Sequence, residues 1–201
     1  MTKKTPAHII LASVSPRRSD LLREFGIPFT AVAPKAPEIT QKEFPLKTPR
    51  EIAIINAVAK ARAVAREHPK KWVLGADTVV VHEHKLFGKP ANEREARKML
   101  RDLSGMEHEV ITGVALVQFR ENQFQQTDFW VITKVTFHPL SAERIAAYLS
   151  RVDVMDKAGA YAIQEEGDTI VKEIDGSRYN VMGLPIERLL DEIDKLGIFK
   201  K

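Results

Sequence analysis

The chain has 201 residues, with a hydrophobic fraction of 44% and a charged fraction of 29%, as expected of a globular domain with a sizeable core. It contains no cysteine, so disulfides and thiolate catalysis are excluded and a metal would need oxygen or imidazole ligands. No apolar run reaches membrane-spanning length, and Met1-Thr2-Lys3-Lys4 lacks the apolar core of a signal peptide. We therefore expect a cytoplasmic location.

The net charge of +4 favours anionic partners in general. Its basic residues occur singly or in pairs, whereas nucleic-acid-binding modules usually show basic clusters interleaved with exposed aromatic residues. We interpret the charge as suited to a small phosphorylated ligand, and we expect no membrane or nucleic-acid partner. A nucleic-acid-binding module is the weaker alternative, which steeply salt-sensitive binding would favour.

Apolar periodicity and turn signals predict alternating strands and helices along the chain. In chain order they are a strand at 9–11, a helix at 16–25, a strand at 29–33, a helix at 49–66, a strand at 72–74, a hairpin opened by 79–81 with its turn at 83–84, a helix between 92 and 104, two long strands between 110 and 137 with a turn at 121–122, a helix from 141 to 150, a hairpin with its turn at 175–176, and a helix from 184 or 185 to 196. This order predicts an α/β fold with a long mixed sheet, helices on both sides, and a cleft between two lobes.

The segment Ser13–Arg18 places two arginines in the first turn of a predicted helix. Ser15 is a natural N-cap and Pro16 suits the first helical position. That end of a helix carries partial positive charge and unpaired N–H groups, so Arg17 and Arg18 are unfavourable there unless an anion binds. The segment therefore indicates an anion site, with a capped surface helix and two solvated arginines as the alternative.

A second segment places an aspartate after two small residues. Gly75 and Ala76 follow a predicted strand and leave room for a ligand near the backbone, and Asp77 comes next. Polar residues at strand ends of α/β sheets tend to point into the binding crevice. Asp77 could hold Mg²⁺ or orient a water, or it could cap its own turn.

Three further charges lie in unusual surroundings: Glu38 in the loop after the second strand, Lys60 in an alanine-rich helix, and Lys89 between Gly88 and Pro90. The small residues around Lys60 would let its helix pack closely. Each charge taken alone is explained by solvation, so a functional interpretation depends on all of them together.

Together these motifs resemble the Maf family of nucleoside-triphosphate pyrophosphatases in order and spacing. They are Ser13–Arg18, Glu38, Lys60, 75–78, Lys89-Pro90, Thr112-Gly113, 156–161 and 180–185. The resemblance extends over nearly the whole chain. It implies one domain, 1–201, with two lobes around one central cleft, an elongated mixed β-sheet flanked by helices, and a fold related to inosine-triphosphate pyrophosphatases. It also suggests a homodimer.

The resemblance implies that Asp77 is the catalytic aspartate and that Glu38, Lys60 and Lys89 are functional charges. Cleaving a nucleoside triphosphate to the monophosphate and pyrophosphate needs an activated water, a divalent cation and cationic groups around the phosphates. We expect Asp77 to act as general base or to orient the water. Glu38 and Asp77 would hold Mg²⁺ or Mn²⁺, directly or through water. The residues expected to contact the phosphates are Ser13, Ser15, Arg17, Arg18, Lys60 and Lys89.

Family members acting on dTTP and UTP are similar to this chain at Arg17, Thr78 and Gln164, whereas members acting on 7-methyl-GTP differ there. The resemblance therefore predicts a pyrophosphatase for dTTP and UTP, and for related modified pyrimidine nucleotides. The Gln164 amide can both donate to and accept from the N3–H and O4 edge of uracil or thymine. The alternatives are a same-fold enzyme for a modified purine triphosphate and a non-catalytic nucleotide-binding regulator of cell division.

The chain departs from that group directly after Gln164. The group often has Gly-x-Gly, whereas this chain has Glu165-Glu166-Gly167. We expect two carboxylates beside the base site to alter nucleobase preference or loop mobility.

Overall fold

The computed structural model describes residues 8–199, so the segment Met1-Thr2-Lys3-Lys4 lies outside the described residues. The strands are β1 (Ile9–Ala12), β2 (Phe29–Val32), β3 (Trp72–His82), β4 (Lys85–Phe87), β5 (Glu107–Arg120), β6 (Gln123–Phe137) and β7 (Val171–Asp175). The α-helices are α1 (Pro16–Glu24), α2 (Pro49–Glu67), α3 (Glu93–Leu103), α4 (Ala142–Leu149), α5 (Gly167–Ile170), α6 (Arg178–Val181) and α7 (Ile186–Lys195), with a 3₁₀ turn at Ala158–Ala160. Within residues 8–199, no helix is both long enough and apolar enough to cross a bilayer.

The strands form one seven-stranded sheet in the order β2-β1-β3-β5-β6-β7, with β4 paired to β3. β1 runs parallel to β2, with Ile9 opposite Phe29, and parallel to β3, with Ile10 opposite Val73. β4 and β7 are antiparallel to their partners β3 and β6. The sheet is therefore mixed and flanked by helices, which confirms the predicted α/β class.

The chain divides into two compact units. The first unit contains the described parts of Met1–Asp77 and Gly183–Lys201 together with Thr112–Trp130. The second unit contains Thr78–Ile111 and Val131–Met182. The three long strands β3, β5 and β6 each contribute residues to both units.

In the first unit, α2 packs directly on the sheet through small residues. A Cβ atom at Gly75 would lie 2.3 Å from the carbonyl oxygen of Ala57, and one at Gly113 would lie 2.6 Å from the carbonyl carbon of Ala53. Only glycine fits where two backbones approach this closely. The alanine-rich helix therefore packs closely, as predicted. The same proximity brings polar side chains of α2 within hydrogen-bonding distance of β3.

Two sequence predictions about strands are wrong. β3 does not end before Gly75: it continues through Asp77 to His82, because the β-branched residues from Thr78 onward extend it into the pairing with β4. Asp77 is therefore a mid-strand residue. The turn at Asp175-Gly176 does not open a hairpin, because Ser177 accepts a hydrogen bond from the Asn180 N–H and caps α6.

Helix starts with local signals agree with the prediction. Thr48 and Glu51 form the reciprocal capping box of α2, and Asn92 and Ser141 cap α3 and α4 through their side chains. The hairpin turn at 83–84 is also confirmed, with positive φ angles at both residues. These features each depend on residues a few positions apart.

Candidate functional site

A buried lysine joins two carboxylates in the first unit. Lys60 Nζ lies 2.7 Å from Glu38 Oε1 and 2.7 Å from Asp77 Oδ1. The side chains of Lys60 and Asp77 are 9% and 12% exposed, whereas that of Glu38 is 46% exposed. A buried ammonium needs compensating anions, and here one comes from β3 and one from the loop after β2. The structure thus brings together three of the predicted functional residues.

Asn56 completes this centre from the preceding turn of α2. Its Nδ2 donates to Asp77 Oδ2 at 3.1 Å and to the Ile39 carbonyl at 3.1 Å, and its Oδ1 accepts from the Ile39 N–H at 2.8 Å. The side chain is only 3% exposed. Both oxygens of Asp77 therefore accept from α2, Oδ1 from Lys60 and Oδ2 from Asn56. We name the set Glu38, Asn56, Lys60 and Asp77 the acid–lysine cluster.

The start of α1 lies in the same unit. Arg18 Nη1 donates to Ser13 Oγ at 3.3 Å and Arg18 Nε donates to the Gly183 carbonyl at 2.9 Å. The Ser15 N–H also donates to Ser13 Oγ, at 3.1 Å. Ser15 occupies the N-cap position and Pro16 begins the helix, as predicted, although the Ser15 side chain makes no capping hydrogen bond. Ser13 is instead the local acceptor.

Electrostatics link the start of α1 to the acid–lysine cluster. Burial lowers the pKa of Arg18, and the charges of Asp77 and Glu38 act in the opposite direction. The neighbouring Arg17 lowers the pKa of Arg18 further. The first turn of α1 thus presents two guanidinium groups near two carboxylates, at a helix end that already favours anions.

The remaining predicted residues belong to the second unit. Thr78 follows Asp77 on β3 and is half-buried, whereas Lys89 and Gln164 are exposed. Lys89 stands between Gly88, which accepts a hydrogen bond from the Gly159 N–H, and the buried Pro90. The structure therefore holds the backbone beside Lys89 and leaves its ammonium accessible.

Cations accompany the two carboxylates that follow Gln164. Glu165 Oε1 lies 3.6 Å from Lys157 Nζ, and Glu166 Oε2 lies 3.0 Å from Arg151 Nη1. Lys157 is itself buried, and its Nζ also contacts Asp156 Oδ1 at 2.9 Å. Both carboxylates that were expected to alter the base site are therefore ion-paired, and the neighbouring cations compensate part of their negative charge.

The carboxylates of the acid–lysine cluster fit a cation that shares its coordination with phosphate. Oxygen donors are what Mg²⁺ and Mn²⁺ prefer, and Lys60 brings Glu38 and Asp77 to one point. Among residues 8–199, no group of three or more His, Asp or Glu side chains is placed to hold a metal. Mg²⁺ commonly takes one or two protein carboxylates together with waters and substrate phosphates.

Sequence reasoning missed Asn56 and Lys157. Asn56 is an amide in an otherwise apolar, alanine-rich stretch, four residues before Lys60 and therefore on the same helix face. That spacing could have indicated it. Lys157 lies within the motif 156–161, but its partner Glu165 lies in a later loop, and no local pattern pairs the two.

The fold and this site define a mixed α/β protein with a buried carboxylate–ammonium centre beside an arginine-bearing helix start. The chain belongs to the Maf family, because the model of that family, described as Maf-like protein, matches residues 8–196.

Two relatives that are similar in sequence agree with this assignment. A protein of Akkermansia muciniphila named dTTP/UTP pyrophosphatase is 44% identical over 94% of this chain and 96% of its own length. A protein of Bacillus cereus with the same name is 43% identical over 94% of this chain and 90% of its own length. A solved nucleoside-triphosphatase (dITP/XTP pyrophosphatase) of Mycobacterium abscessus covers 94% of this chain and 95% of its own, at 14% identity and a TM-score of 0.43. The family assignment rests on the first two and on the family model.

Proposed function

We propose that this protein hydrolyses dTTP and UTP to the nucleoside monophosphate and pyrophosphate. The observation that carries the proposal is the buried Lys60 ammonium, 2.7 Å from a carboxylate oxygen of both Glu38 and Asp77. The names of the two relatives support the substrate, and the identities at Arg17, Thr78 and Gln164 match the pyrimidine group.

Asp77 is the proposed proton acceptor for the attacking water. The water oxygen forms a bond to phosphorus, the anhydride bond to pyrophosphate breaks, and one water proton passes to an Asp77 oxygen. A carboxylate has about four acceptor positions, so the bonds from Lys60 and Asn56 leave room for a water. These two donors hold the carboxylate in one orientation, and a general base must be positioned within hydrogen-bonding reach of the proton that it removes.

The cations around Asp77 would stabilise the charge that develops on the phosphates. Arg17 and Arg18 are proposed to contact phosphate oxygens at the start of α1, with Ser13 and Ser15 beside them. Lys60 uses two of its three N–H donors on carboxylates, and its third is proposed to reach a phosphate oxygen. Glu38 and Asp77 would hold a divalent cation, which when bound neutralises phosphate charge.

The second unit is proposed to supply two further contacts. Lys89 is exposed on a fixed backbone and would bind phosphate. Gln164 is exposed and would bind the edge of the base. Thr78 would contribute to base specificity together with Gln164 and Arg17. The single-domain organisation, the cytoplasmic location and the homodimer stay predictions.

Measuring pyrophosphate release tests the proposal. The protein is incubated with Mg²⁺ or Mn²⁺ and with dTTP, UTP, the other common triphosphates and 7-methyl-GTP in turn. We expect fastest release from dTTP and UTP, and Asp77→Asn should lower kcat by roughly 100- to 10,000-fold, the usual contribution of a general base. Asp102→Asn is the matched control, because Asp102 pairs with Lys85 on the surface of the second unit.

Three results would count against this function. Release from 7-methyl-GTP alone would favour the purine-directed alternative. Binding of nucleotides with no release from any of them would favour a non-catalytic regulator. An Asp77→Asn variant as fast as the unmodified protein would overturn the role assigned to Asp77.

A further inference from the structure

Asn56 makes two kinds of contact with parts of the chain that carry the proposed chemistry. One is a pair of hydrogen bonds to the main chain of Ile39, the residue directly after Glu38. The other is the bond that Nδ2 donates to Asp77 Oδ2. A single buried amide therefore touches both the strand that bears one carboxylate and the loop that bears the other.

We propose that Asn56 is a positioning residue for the reaction, one that holds Asp77 in orientation and fixes the Glu38 loop next to it. The proposal rests on the proposed function. Asn56 is not assigned a contact with the nucleotide. Its effect is transmitted through Asp77 and through the main chain of Ile39.

The hydrogen-bond pattern requires an amide at this position. Ile39 offers both a donor and an acceptor, and Asp77 Oδ2 is an acceptor, so the side chain must accept once and donate twice. Leucine has nearly the same size and can do neither. Aspartate can accept from the Ile39 N–H, but it places a second carboxylate beside Asp77. Asn56 thus combines two functions that substitution can separate.

The Glu38 loop has particular need of such a contact. Residues 33–47 between β2 and α2 contain neither a helix nor a strand. The Asn56 side chain forms two hydrogen bonds with the main chain of Ile39, one residue from Glu38. These bonds take the place of the main-chain hydrogen bonds that a paired strand would form there. Because Asn56 is 3% exposed, water does not readily substitute for these bonds.

The test uses two variants of Asn56 and a matched control in the full-length protein. Asn56→Leu removes both functions, and Asn56→Asp keeps the acceptor for the Ile39 N–H while removing the donors to Asp77 and to the Ile39 carbonyl. Asn180→Leu is the control, since Asn180 is a buried asparagine of the second unit that donates to the Val110 carbonyl and to Thr133 Oγ1. Each variant is measured for kcat and KM with dTTP and Mg²⁺, for amide hydrogen exchange at Ile39, and for thermal unfolding.

We expect Asn56→Leu to lower kcat by roughly 10-fold or more with KM changed by less than about 3-fold, because the contact acts on orientation and not on substrate binding. Its Ile39 amide should exchange faster. Asn56→Asp should show the same loss of kcat with the Ile39 amide still protected, and it carries the test if Asn56→Leu fails to fold. Asn180→Leu should lower the unfolding temperature while kcat and Ile39 exchange stay as they were.

Two results would overturn the proposal. Unchanged Ile39 exchange in Asn56→Leu would show that the amide does not fix the loop. Unchanged kcat in both Asn56 variants would show that it does not position Asp77. A parent protein that releases no pyrophosphate would instead overturn the proposed function. Ile39 exchange would still show whether Asn56 fixes the Glu38 loop.

Discussion

Each unit of the molecule contains a buried lysine between two carboxylates, but the two lysines differ in what they join. Lys60 joins Glu38 and Asp77, both at 2.7 Å, from a loop and a strand that are distant along the chain. Lys157 joins Asp156 at 2.9 Å and Glu165 at 3.6 Å, and it also donates to the carbonyl of Asp153.

The difference lies in the surroundings of the carboxylates. Asp77 is 12% exposed and receives a further hydrogen bond from Asn56, whereas Asp156 and Glu165 are 50% and 51% exposed. Removing the cation beside an exposed carboxylate costs the folded protein little free energy, because water can solvate the charge. Removing the cation beside a buried carboxylate costs much more. We infer that Lys60 holds a preorganised charge centre and that Lys157 ties down a loop.

Removing the two lysines gives the largest contrast. Lys60→Met should lower the free energy of unfolding by about 3–5 kcal/mol, because it leaves Asp77 buried without its cation. Lys157→Met should cost only about 1–2 kcal/mol, because its carboxylates reach water and the main loss is the hydrogen bond to Asp153. Chemical denaturation of both variants at neutral pH measures the two values. Equal losses would contradict the distinction.

A third buried basic side chain sharpens the comparison because it is held neutral. His108 lies against the rings of Phe137 and Tyr161, its Nε2 lies 2.9 Å from the Tyr161 hydroxyl, and burial lowers its pKa to about 4. The unfolded chain binds a proton near the ordinary value of 6.5. Its contribution to stability is therefore fully present above pH 6.5 and is lost as the pH falls towards 4.

The expected loss from His108 is on the order of 3 kcal/mol between pH 6.5 and pH 4. Urea denaturation measures the free energy of unfolding across this range. Between pH 6.5 and pH 4 this free energy should fall less for His108→Phe than for the parent protein, and the difference should be about the amount given above. Parallel curves for His108→Phe and the parent would contradict the prediction.

Substitution of Gln164 tests the second unit through specificity. Gln164→Ala should reduce the preference for dTTP and UTP over other triphosphates by roughly 10-fold, the size expected for lost hydrogen bonds to the base. Turnover with the remaining substrates should fall less. Comparing kcat/KM across the triphosphates measures both effects. An unchanged substrate profile would show that Gln164 does not contact the base.

The smallest effect is expected at Glu165. Because Glu165 is half exposed and lies 3.6 Å from Lys157, Glu165→Gln should change the kcat/KM ratio of UTP to 7-methyl-GTP by less than about 3-fold. Glu43→Gln is a suitable control, since Glu43 is exposed in the first unit and bonds to Thr40. A larger change at Glu165 would show that its charge acts on the base despite the ion pair.

The sequence predicted the parts of this structure that depend on nearby residues. The capping box at Thr48 and Glu51 and the turn at 83–84 are local, and both are confirmed. The interruption expected at Gly75 was wrong, because that glycine accommodates α2 and does not end a strand. Local sequence cannot distinguish these two uses of glycine, since the helix that requires the space lies about fifteen residues earlier.

The candidate site was predictable in its charges but not in their arrangement. Glu38, Lys60 and Asp77 were identified through the family motifs. That both carboxylates contact the Lys60 ammonium depends on the distance between α2 and β3, which those motifs do not give. The role of Ser13 as acceptor for Arg18 depends in the same way on backbone placement. Asn56 was missed because its one local signal is its spacing from Lys60, whereas the partners of its side chain, Ile39 and Asp77, are distant from it along the chain.

The absence of a side chain at Gly75 determines how closely α2 can approach β3 at the site. A single methyl group there would meet the carbonyl of Ala57 and push α2 outward. Asn56 and Lys60 stand on consecutive turns of that rigid rod, so both would move away from Asp77 by a similar distance. An uncharged substitution at Gly75 would thus weaken the contacts of both Asn56 and Lys60 with Asp77, so variants of this protein that are meant to keep its activity should retain Gly75.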